Sequence, residues 1–205
     1  MKKLFNIFML SLIFSLNFTN LWSAPFEGKV VYRTYTKTGF FSVDISMTFY
    51  LKGPKVRVDP EKNASYTIAD FSAHTMMTVR PVDQTYTKIP WTLDKEPVPQ
   101  GWTFSKTEKT QIVLGRMCQQ WIYKENGTTS IVWAAGGIGD FNGIGKSKTW
   151  AGVLKKKKLF PLKIETNYEK TDFLKNNSTM EATQLEAGPL DDSIFSVPQG
   201  YQEKK

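Results

Sequence analysis

Apolar and polar side chains alternate along most of the chain, which is the pattern of β-strands with one buried face. Residues 43–51 show it most clearly, because every second position there is strongly apolar, from Val43 to Leu51. The same pattern predicts further strands at residues 29–35, 55–58, 65–70, 75–80, 84–88, 109–114, 117–124, 129–134, 160–168 and 179–185.

Turn signals separate these strands at short intervals. Gly53-Pro54 follows residues 43–51, and Asn126-Gly127 is a strong signal for a short hairpin. About ten strands without regular strand–helix alternation predict a mainly β (α+β) fold, an antiparallel sheet curled into a barrel or half-barrel. Short helices are expected at residues 90–100 and 140–154, where prolines and glycines respectively weaken the helix signal.

The first 23 residues have the layout of a secretory signal peptide. Lys2 and Lys3 precede an apolar run at residues 4–16, and a stretch with small residues ends at Ser23. The run is shorter than the roughly 20 apolar residues of a spanning helix. We therefore expect cleavage near Ser23, one domain over residues 24–205, and a periplasmic or secreted location. No Cys lies near this boundary, so we expect no lipoprotein-type anchor.

Composition narrows the possible classes of protein. With 40% hydrophobic residues in a chain of 205, there is enough apolar side chain for a sizeable core. One Cys and one His exclude a disulfide scaffold and an ordinary Cys/His zinc site within one chain, because each needs several such residues. We expect no metal and no other cofactor. The net charge of +8 becomes +6 without Lys2 and Lys3, since residues 1–23 contain no acid.

Several segments occur in a recognisable order. Phe26-Glu27-Gly28-Lys29-Val30-Val31-Tyr32 is followed by the predicted hairpin at residues 50–58 and by a strand around Tyr86. Then come a hydrophobic-x-Gly-x-x-Cys segment within residues 112–121, Trp133, and the closing segment at residues 195–201. In this order the chain resembles an uncharacterised family of exported bacterial proteins, a domain of unknown function related to the LolA-like half-barrel superfamily of lipoprotein carriers.

The resemblance implies a strongly curved antiparallel sheet with a few short helices or loops on its concave side. In better-understood relatives, the apolar concave face holds acyl chains of a lipid or lipoprotein, or senses them. The resemblance carries over no reaction and no catalytic residue, so we expect the protein not to be an enzyme.

Seven apolar residues in or beside predicted strands are candidates for a ligand-binding concave face. They are Met47, Phe49, Tyr66, Tyr86, Trp121, Trp133 and Phe160. The sequence leaves open whether such side chains line a cavity or fill a core, because both use the same residue types.

The strongest electrostatic feature is a run of four cations, Lys155, Lys156, Lys157 and Lys158. Lys146, Lys148 and Lys163 are near it in sequence. Clustered cations attract phosphate groups, so the run is a candidate contact for anionic lipid head groups or a membrane surface. Export makes nucleic acid a poor partner, and we expect none. A solvated charged loop is the alternative interpretation.

Other motifs give weaker signals. The glycine-rich residues 136–147 lack the first glycine of a phosphate-binding P-loop, because Asp140 stands there, and they are expected to form a loop. His74 lies in a predicted turn and Cys118 in a predicted strand, so they do not indicate a nucleophilic triad. Asp191 and Asp192 are expected to cap a short turn.

Two functions are consistent with these features. The first is a non-catalytic exported protein that binds an apolar or acyl-chain ligand, such as a lipid or lipoprotein. The alternative is an envelope protein–protein interaction or stress-sensor module whose concave face is filled by its own side chains. Bound lipid would favour the first, and a specific protein partner with a packed core would favour the second.

Overall fold

A computed structural model of the protein describes residues 26–62, 65–90, 100–139, 150–168 and 176–204. The signal peptide predicted at residues 1–23 and nearly all of residues 90–100 lie outside the described residues. In the part of the chain that the structure describes, no helix has the length and apolarity needed to cross a membrane.

The described residues form twelve strands and one α-helix. In chain order the strands are β1 (Glu27–Thr38), β2 (Phe41–Lys52), β3 (Lys55–Pro60), β4 (Tyr66–Asp70), β5 (Thr75–Arg80), β6 (Thr85–Ile89), β7 (Thr103–Val113), β8 (Arg116–Glu125), β9 (Thr128–Gly136), β10 (Leu159–Tyr168), β11 (Asn176–Ala187) and β12 (Gln202–Glu203). The helix α1 spans Trp150–Lys156, and short 3-10 helices span Pro81–Asp83 and Asp192–Phe195. The mainly β fold predicted from the alternation is confirmed.

All twelve strands join one open sheet in the order β12-β6-β5-β4-β3-β2-β1-β11-β10-β9-β8-β7. The pairings are antiparallel except that of β12 with β6. Leu51 of β2 and Val56 of β3, in the middle of the strand order, belong to the same packed cluster as Val113 of β7 and Cys118 of β8, at one end of it. The sheet must therefore curve strongly, which agrees with the predicted half-barrel.

Turn chemistry determines where the hairpins form. Asn126 and Gly127 both have positive φ, +44° and +74°, as a two-residue turn between twisted strands requires. This turn joins β8 to β9, which pair from Glu125 and Thr128 onward. Gly53, with φ +54°, occupies the first position of the two-residue turn from β2 into β3, where a hairpin turn of type II′ has glycine, and Pro54 follows it. The two hairpins predicted from these glycines are confirmed.

The last residues of the chain pack on the face of the sheet that carries Tyr66, Ile68 and Val79. This C-terminal cluster includes Phe195, with Leu190, Ile194, Val197 and Tyr201 packed around it. Asp191 accepts the backbone N–H of Ser193 at 2.7 Å and so caps the second 3-10 helix, as predicted. Asp192 instead accepts a hydrogen bond from Lys55 Nζ at 3.1 Å.

Residues 202–204 are attached to the sheet by β12 and by an ion pair. The Lys204 backbone N–H donates to the Tyr86 carbonyl at 2.8 Å, and Lys204 Nζ lies 2.7 Å from Asp83 Oδ2. Hydrogen bonds from Lys204 and from Thr85 lower the pKa of Asp83 from 3.8 to about 2.

We expect this attachment to weaken in acid. A carboxyl whose pKa is lower in the folded state contributes stability above its unfolded pKa and loses it as the pH falls through the folded value. Exchange of the Lys204 amide with solvent deuterium, corrected for intrinsic rate, should therefore become faster between pH 4 and pH 2. The variant Asp83→Asn should show fast exchange at both pH values. A pH-independent protection factor in the native chain would contradict this role of Asp83.

Candidate functional site

Residues that face each other across the ladder lie on the same side of the sheet, so the register shows which predicted site residues share a surface. Met47 and Phe49 of β2 lie on the side of Tyr32 and Val30 of β1. Following the pairings onward, Phe49 faces Val58, whereas Tyr50 faces Arg57 on the other side.

Tyr66 and Tyr86 lie on that other side. Arg57 faces Ile68, and Tyr66 lies two residues before Ile68 in β4. Tyr66 in turn faces Val79, which faces Tyr86. Both tyrosines belong to the C-terminal cluster. The prediction that they share one surface with Met47 and Phe49 is therefore wrong. The alternation defines two faces for each strand, but it does not say which faces of different strands coincide.

The two predicted tryptophans also lie on opposite sides of the sheet. Trp121 faces Val132, whereas Gln120 faces Trp133. Trp133 belongs with Phe160, Cys118 and Phe49 to a central cluster, which joins β7–β10 to β1–β3. Trp121 packs with Val132, Ala134, Ile164 and Leu154 of α1 in a separate helix-side cluster.

A transverse row of side chains connects Trp121 to β2 across six strands. Successive register pairs give this apolar row, whose members are Trp121, Val132, Ile164, Met180, Thr34 and Ile45. Met180 is half-buried and packs against both the central and the helix-side clusters. Met47 lies two residues beyond Ile45 on the same side of β2. The row therefore forms one continuous, mostly apolar surface.

Two polar atoms in the apolar row are buried without a hydrogen-bond partner among the described residues. They are Trp121 Nε1 and Thr34 Oγ1, which lie toward opposite ends of the row. Leaving a buried donor unsatisfied is costly, and in native proteins such atoms commonly indicate a missing water, ion or ligand. By contrast, the hydroxyls of the neighbouring row are paired, Ser130 with Thr166 at 3.0 Å and Thr36 with Ser178 at 3.1 Å.

The surroundings of Trp121 combine an aromatic platform with a positive charge. The Phe104 ring is stacked on the indole, with centroids 5.1 Å apart and an interplanar angle of 8°. Lys157 Nζ lies 5.3 Å from the indole ring centroid, within the range of a cation–π contact. The structure thus brings together one of the seven predicted apolar residues and one of the four predicted lysines.

Trp133 is equally buried, 8% exposed like Trp121, but its chemistry differs. Its indole N–H donates to Glu165 Oε2 at 3.3 Å. Lys163 Nζ lies 3.0 Å from Glu165 Oε1 and 3.6 Å from Glu181, and these carboxylates raise the lysine pKa. Lys163 is therefore part of a structural ion-pair group. The indole N–H of Trp133 has a partner in Glu165, whereas that of Trp121 has none among the described residues.

The other predicted lysines are exposed. Lys155, Lys156, Lys157 and Lys158 follow the buried Leu154 at the end of α1 and in the turn before β10. Lys146 and Lys148 lie outside the described residues.

An open depression of about 500 Å³ lies on the opposite side of β1, β2 and β11 from the apolar row. It is lined by Arg33, Tyr35, Asp44, Thr179, Glu181 and Thr183. Arg33 donates from Nε to Asp44 Oδ1 at 2.9 Å and from Nη2 to Asp44 Oδ2 at 2.5 Å, which lowers the pKa of Asp44. Because the guanidinium is already paired with Asp44, this depression offers no unpaired cation for an anionic ligand.

Sequence reasoning missed Phe104 and Leu154 as contributors to the Trp121 surroundings, and it did not place Met180 beside them. Phe104 lies in the first part of β7, which has no apolar alternation, since Ser105, Lys106 and Glu108 are all exposed. Leu154 precedes the lysine run in a helix of seven residues, too short to show a helical period. Met180 was part of a predicted strand, but its neighbours were fixed only by the register.

His74 and Cys118 occupy unrelated environments. His74 is exposed in the turn between β4 and β5, with φ +51°. Cys118 is buried in β8, and burial raises the pKa of its thiol. The placement of Cys118 inside a strand is confirmed.

Comparisons with known proteins give one family match. A family model described as Domain of unknown function (DUF4412) matches residues 26–201. No curated protein matches the chain. Two crystal forms of PNGF-II align at 15% and 14% identity, with TM-scores of 0.49 and 0.45, over 86% of this chain and 31% of PNGF-II. This chain therefore spans less than a third of the length of PNGF-II. A DUF1329 family protein from Desulfovibrio piger aligns at 10% identity and a TM-score of 0.37, over 82% of this chain and 88% of that protein.

Proposed function

The chain belongs to the DUF4412 family, a domain of unknown function, and we propose that it is an exported, non-catalytic protein that binds an acyl-chain ligand along the apolar row. The ligand class is amphipathic, such as a lipid or the acyl chains of a lipoprotein. The curved open sheet supports the proposed relation to LolA-like lipoprotein carriers.

The observation that carries this proposal is the buried indole N–H of Trp121, which has no partner in the part of the chain that the structure describes, with the ammonium of Lys157 close to the same ring. A hydrogen-bond acceptor with negative charge, such as a carboxylate or phosphate, would satisfy the indole and be attracted to Lys157. Hydrogen bonds to charged groups stabilise by about 1.5–3 kcal/mol, more than neutral ones. The acyl chain would then extend over Ile164 and Met180, where each buried methylene contributes about 0.8 kcal/mol.

Replacing Trp121 with phenylalanine tests this arrangement. Trp121→Phe removes the N–H and keeps an aromatic ring, so we expect palmitate to bind the variant roughly tenfold or more weakly. Trp133→Phe is the matched control, because Trp133 is equally buried and its N–H already has a partner in Glu165. Binding is measured by titrating palmitate into each full-length protein, purified without detergent, and counting bound molecules by native mass spectrometry.

Lysine variants test the charge separately. Lys157→Gln should weaken palmitate binding, whereas Lys155→Gln in the same run should have a smaller effect. Urea unfolding of each variant shows whether a loss of binding merely reflects a loss of stability. The proposal is wrong if native protein binds no palmitate and carries no lipid from the cell, or if Trp121→Phe binds as tightly as native protein.

A second function is favoured by the packing of the central cluster. Phe49, Trp133 and Phe160 are buried there among other side chains of the protein, and no residue of that cluster needs a ligand to be covered. This favours the alternative of an interaction or sensor module with a filled core. A lipid-free protein that co-purifies with one specific envelope protein would support that function over the first.

A further inference from the structure

The β1–β2 hairpin ends in an exposed apolar tip, formed by residues 37–43. The strands pair up to Thr38 and Phe41, which leaves Gly39 and Phe40 as a two-residue turn. Gly39 takes φ +56°, the positive value that tight hairpin turns require in their first central residue or in both. This turn directs Phe40 away from the sheet, and its side chain is fully exposed, at 104% of the reference value.

Neighbouring residues extend the apolar character of the tip. Phe41 is 79% exposed, and Val43 on the same side of β2 is also exposed. Tyr168 at the end of β10 lies in the same transverse row as Phe41, through Asn176 and Thr38, and is exposed as well. Two adjacent, strongly exposed phenylalanines are unusual for a protein surface, where large apolar side chains normally occur singly.

The charge of the tip is positive. Lys37 is the one charged residue between Tyr35 and Val43, and its side chain is exposed. Asp44, the first acid after the tip in sequence, is paired with Arg33. A convex tip of phenylalanines with tyrosine and lysine beside them has the composition of segments that lie in the interfacial layer of a lipid bilayer.

We propose that the hairpin tip, with Tyr168 beside it, inserts into the interfacial layer of a lipid bilayer. The proposal does not depend on the palmitate site. The position of the tip adds a connection between the two, because Phe41, Val43, Ile45 and Met47 lie on one side of β2 and lead from the tip toward the apolar row.

The tip and the lysine run lie at opposite ends of β10. That strand has ten residues, from Leu159 beside Lys158 to Tyr168 beside the tip, so the two ends are roughly 30 Å apart. A bilayer contact through the tip therefore predicts little dependence on Lys155, Lys156, Lys157 and Lys158. A contact through those lysines would instead make bilayer binding depend on the lysines and not on Phe40 and Phe41.

Vesicle binding distinguishes a bilayer contact through the hairpin tip from one through the lysine run. The full-length protein is mixed with vesicles of phosphatidylcholine alone, and with vesicles of equal parts phosphatidylcholine and phosphatidylglycerol, and bound protein is measured by flotation. The double variant Phe40→Ser/Phe41→Ser should bind both kinds of vesicle roughly tenfold to a hundredfold more weakly, since two large apolar side chains lose their burial. Val82→Ser is the control, because Val82 is exposed to a similar degree elsewhere in the chain. All variants keep residues 1–25, which therefore contribute equally to each comparison.

A fluorophore at the tip gives an independent measurement. Phe40→Cys introduces an exposed thiol while Cys118 is buried, so a polarity-sensitive dye labels residue 40 selectively. Its emission should shift to the blue on phosphatidylcholine vesicles, and the same dye at Val82→Cys should not shift.

Four results would overturn the proposal. They are an unshifted dye at residue 40, equal vesicle binding by the native chain and the double variant, no vesicle binding by the native chain, and binding that needs phosphatidylglycerol and the four lysines but not the phenylalanines. If the double variant instead converts a dimer to a monomer in native mass spectrometry, with vesicle binding unchanged, the tip is a contact between two copies of the chain.

Discussion

Replacing Phe160 with alanine is expected to lower the free energy of unfolding by about 3–5 kcal/mol, the usual cost of emptying a large buried aromatic site. Phe160 is completely buried in the central cluster, and its ring lies 5.3 Å from that of Phe26. It belongs to β10, whereas other members of the same cluster, such as Leu51 and Val56, come from β2 and β3. The alanine variant should therefore loosen the contact of β10 with β2 and β3.

Urea unfolding followed by tryptophan fluorescence measures this loss. Phe40→Ala provides a matched control, because it removes the same side chain from a fully exposed position. We expect its effect to stay within about 0.5 kcal/mol, as for most surface substitutions. Equal losses for the two variants would show that the central cluster does not stabilise the fold as its burial implies.

Gly28→Ala is expected to cost about 3 kcal/mol or more, in the upper range for single substitutions, because it combines a steric clash with backbone strain. Gly28 lies near the start of β1 with φ +151°, opposite Ala187 of β11. A Cβ at this position would overlap the Glu186 carbonyl oxygen and lie 2.8 Å from the Phe26 ring. Since the obstacle is backbone of the paired strand, the β1–β11 ladder itself would have to shift.

Gly53→Ala separates strain from the clash. Gly53 also has positive φ, +54°, but no heavy atom lies within 4 Å of the position its Cβ would take. We expect it to cost only the roughly 1–2 kcal/mol of a left-handed backbone conformation. The midpoint of urea denaturation should therefore fall clearly further for Gly28→Ala. If the two variants unfold at the same urea concentration, the close approach of β1 and β11 has no energetic consequence.

Local features of the fold were predictable because local chemistry determines them. Residues 75–80 were predicted as a strand and form β5, Thr75–Arg80, because their apolar residues and the flanking turns are explicit in the sequence. The turn at Asn126-Gly127 and the cap at Asp191 formed where the chemistry of those side chains requires them. These features depend on contacts between residues close together in sequence.

Features that depend on register were not predictable. The placement of Tyr66 on the other side of the sheet from Phe49 follows from how β2, β3 and β4 pair, and a shift of one residue would exchange the faces. The contact between Lys157 and Trp121 depends on where a seven-residue helix packs. The first part of β7 has exposed polar side chains on an edge strand, so its residues carry no alternation of the kind that marks a strand. Of the seven residues proposed for one surface, the register places Met47, Phe49 and Trp121 on the same side of the sheet, and Tyr66, Tyr86 and Trp133 on the other.

The pairing of β1 with β11, and the packing of Phe195 over β4 and β5, also have a consequence for the order of events during synthesis. β1 is among the first parts of the domain to leave the ribosome, but the strand beside it on one side is made nearly last. The cover over Tyr66 and Val79 comes even later. Until β11 and residues 190–201 have been made, β1 keeps one unpaired edge and β4 and β5 keep one uncovered face. Such incomplete chains expose apolar strands, and the domain can reach its final form only after these two segments have been synthesised.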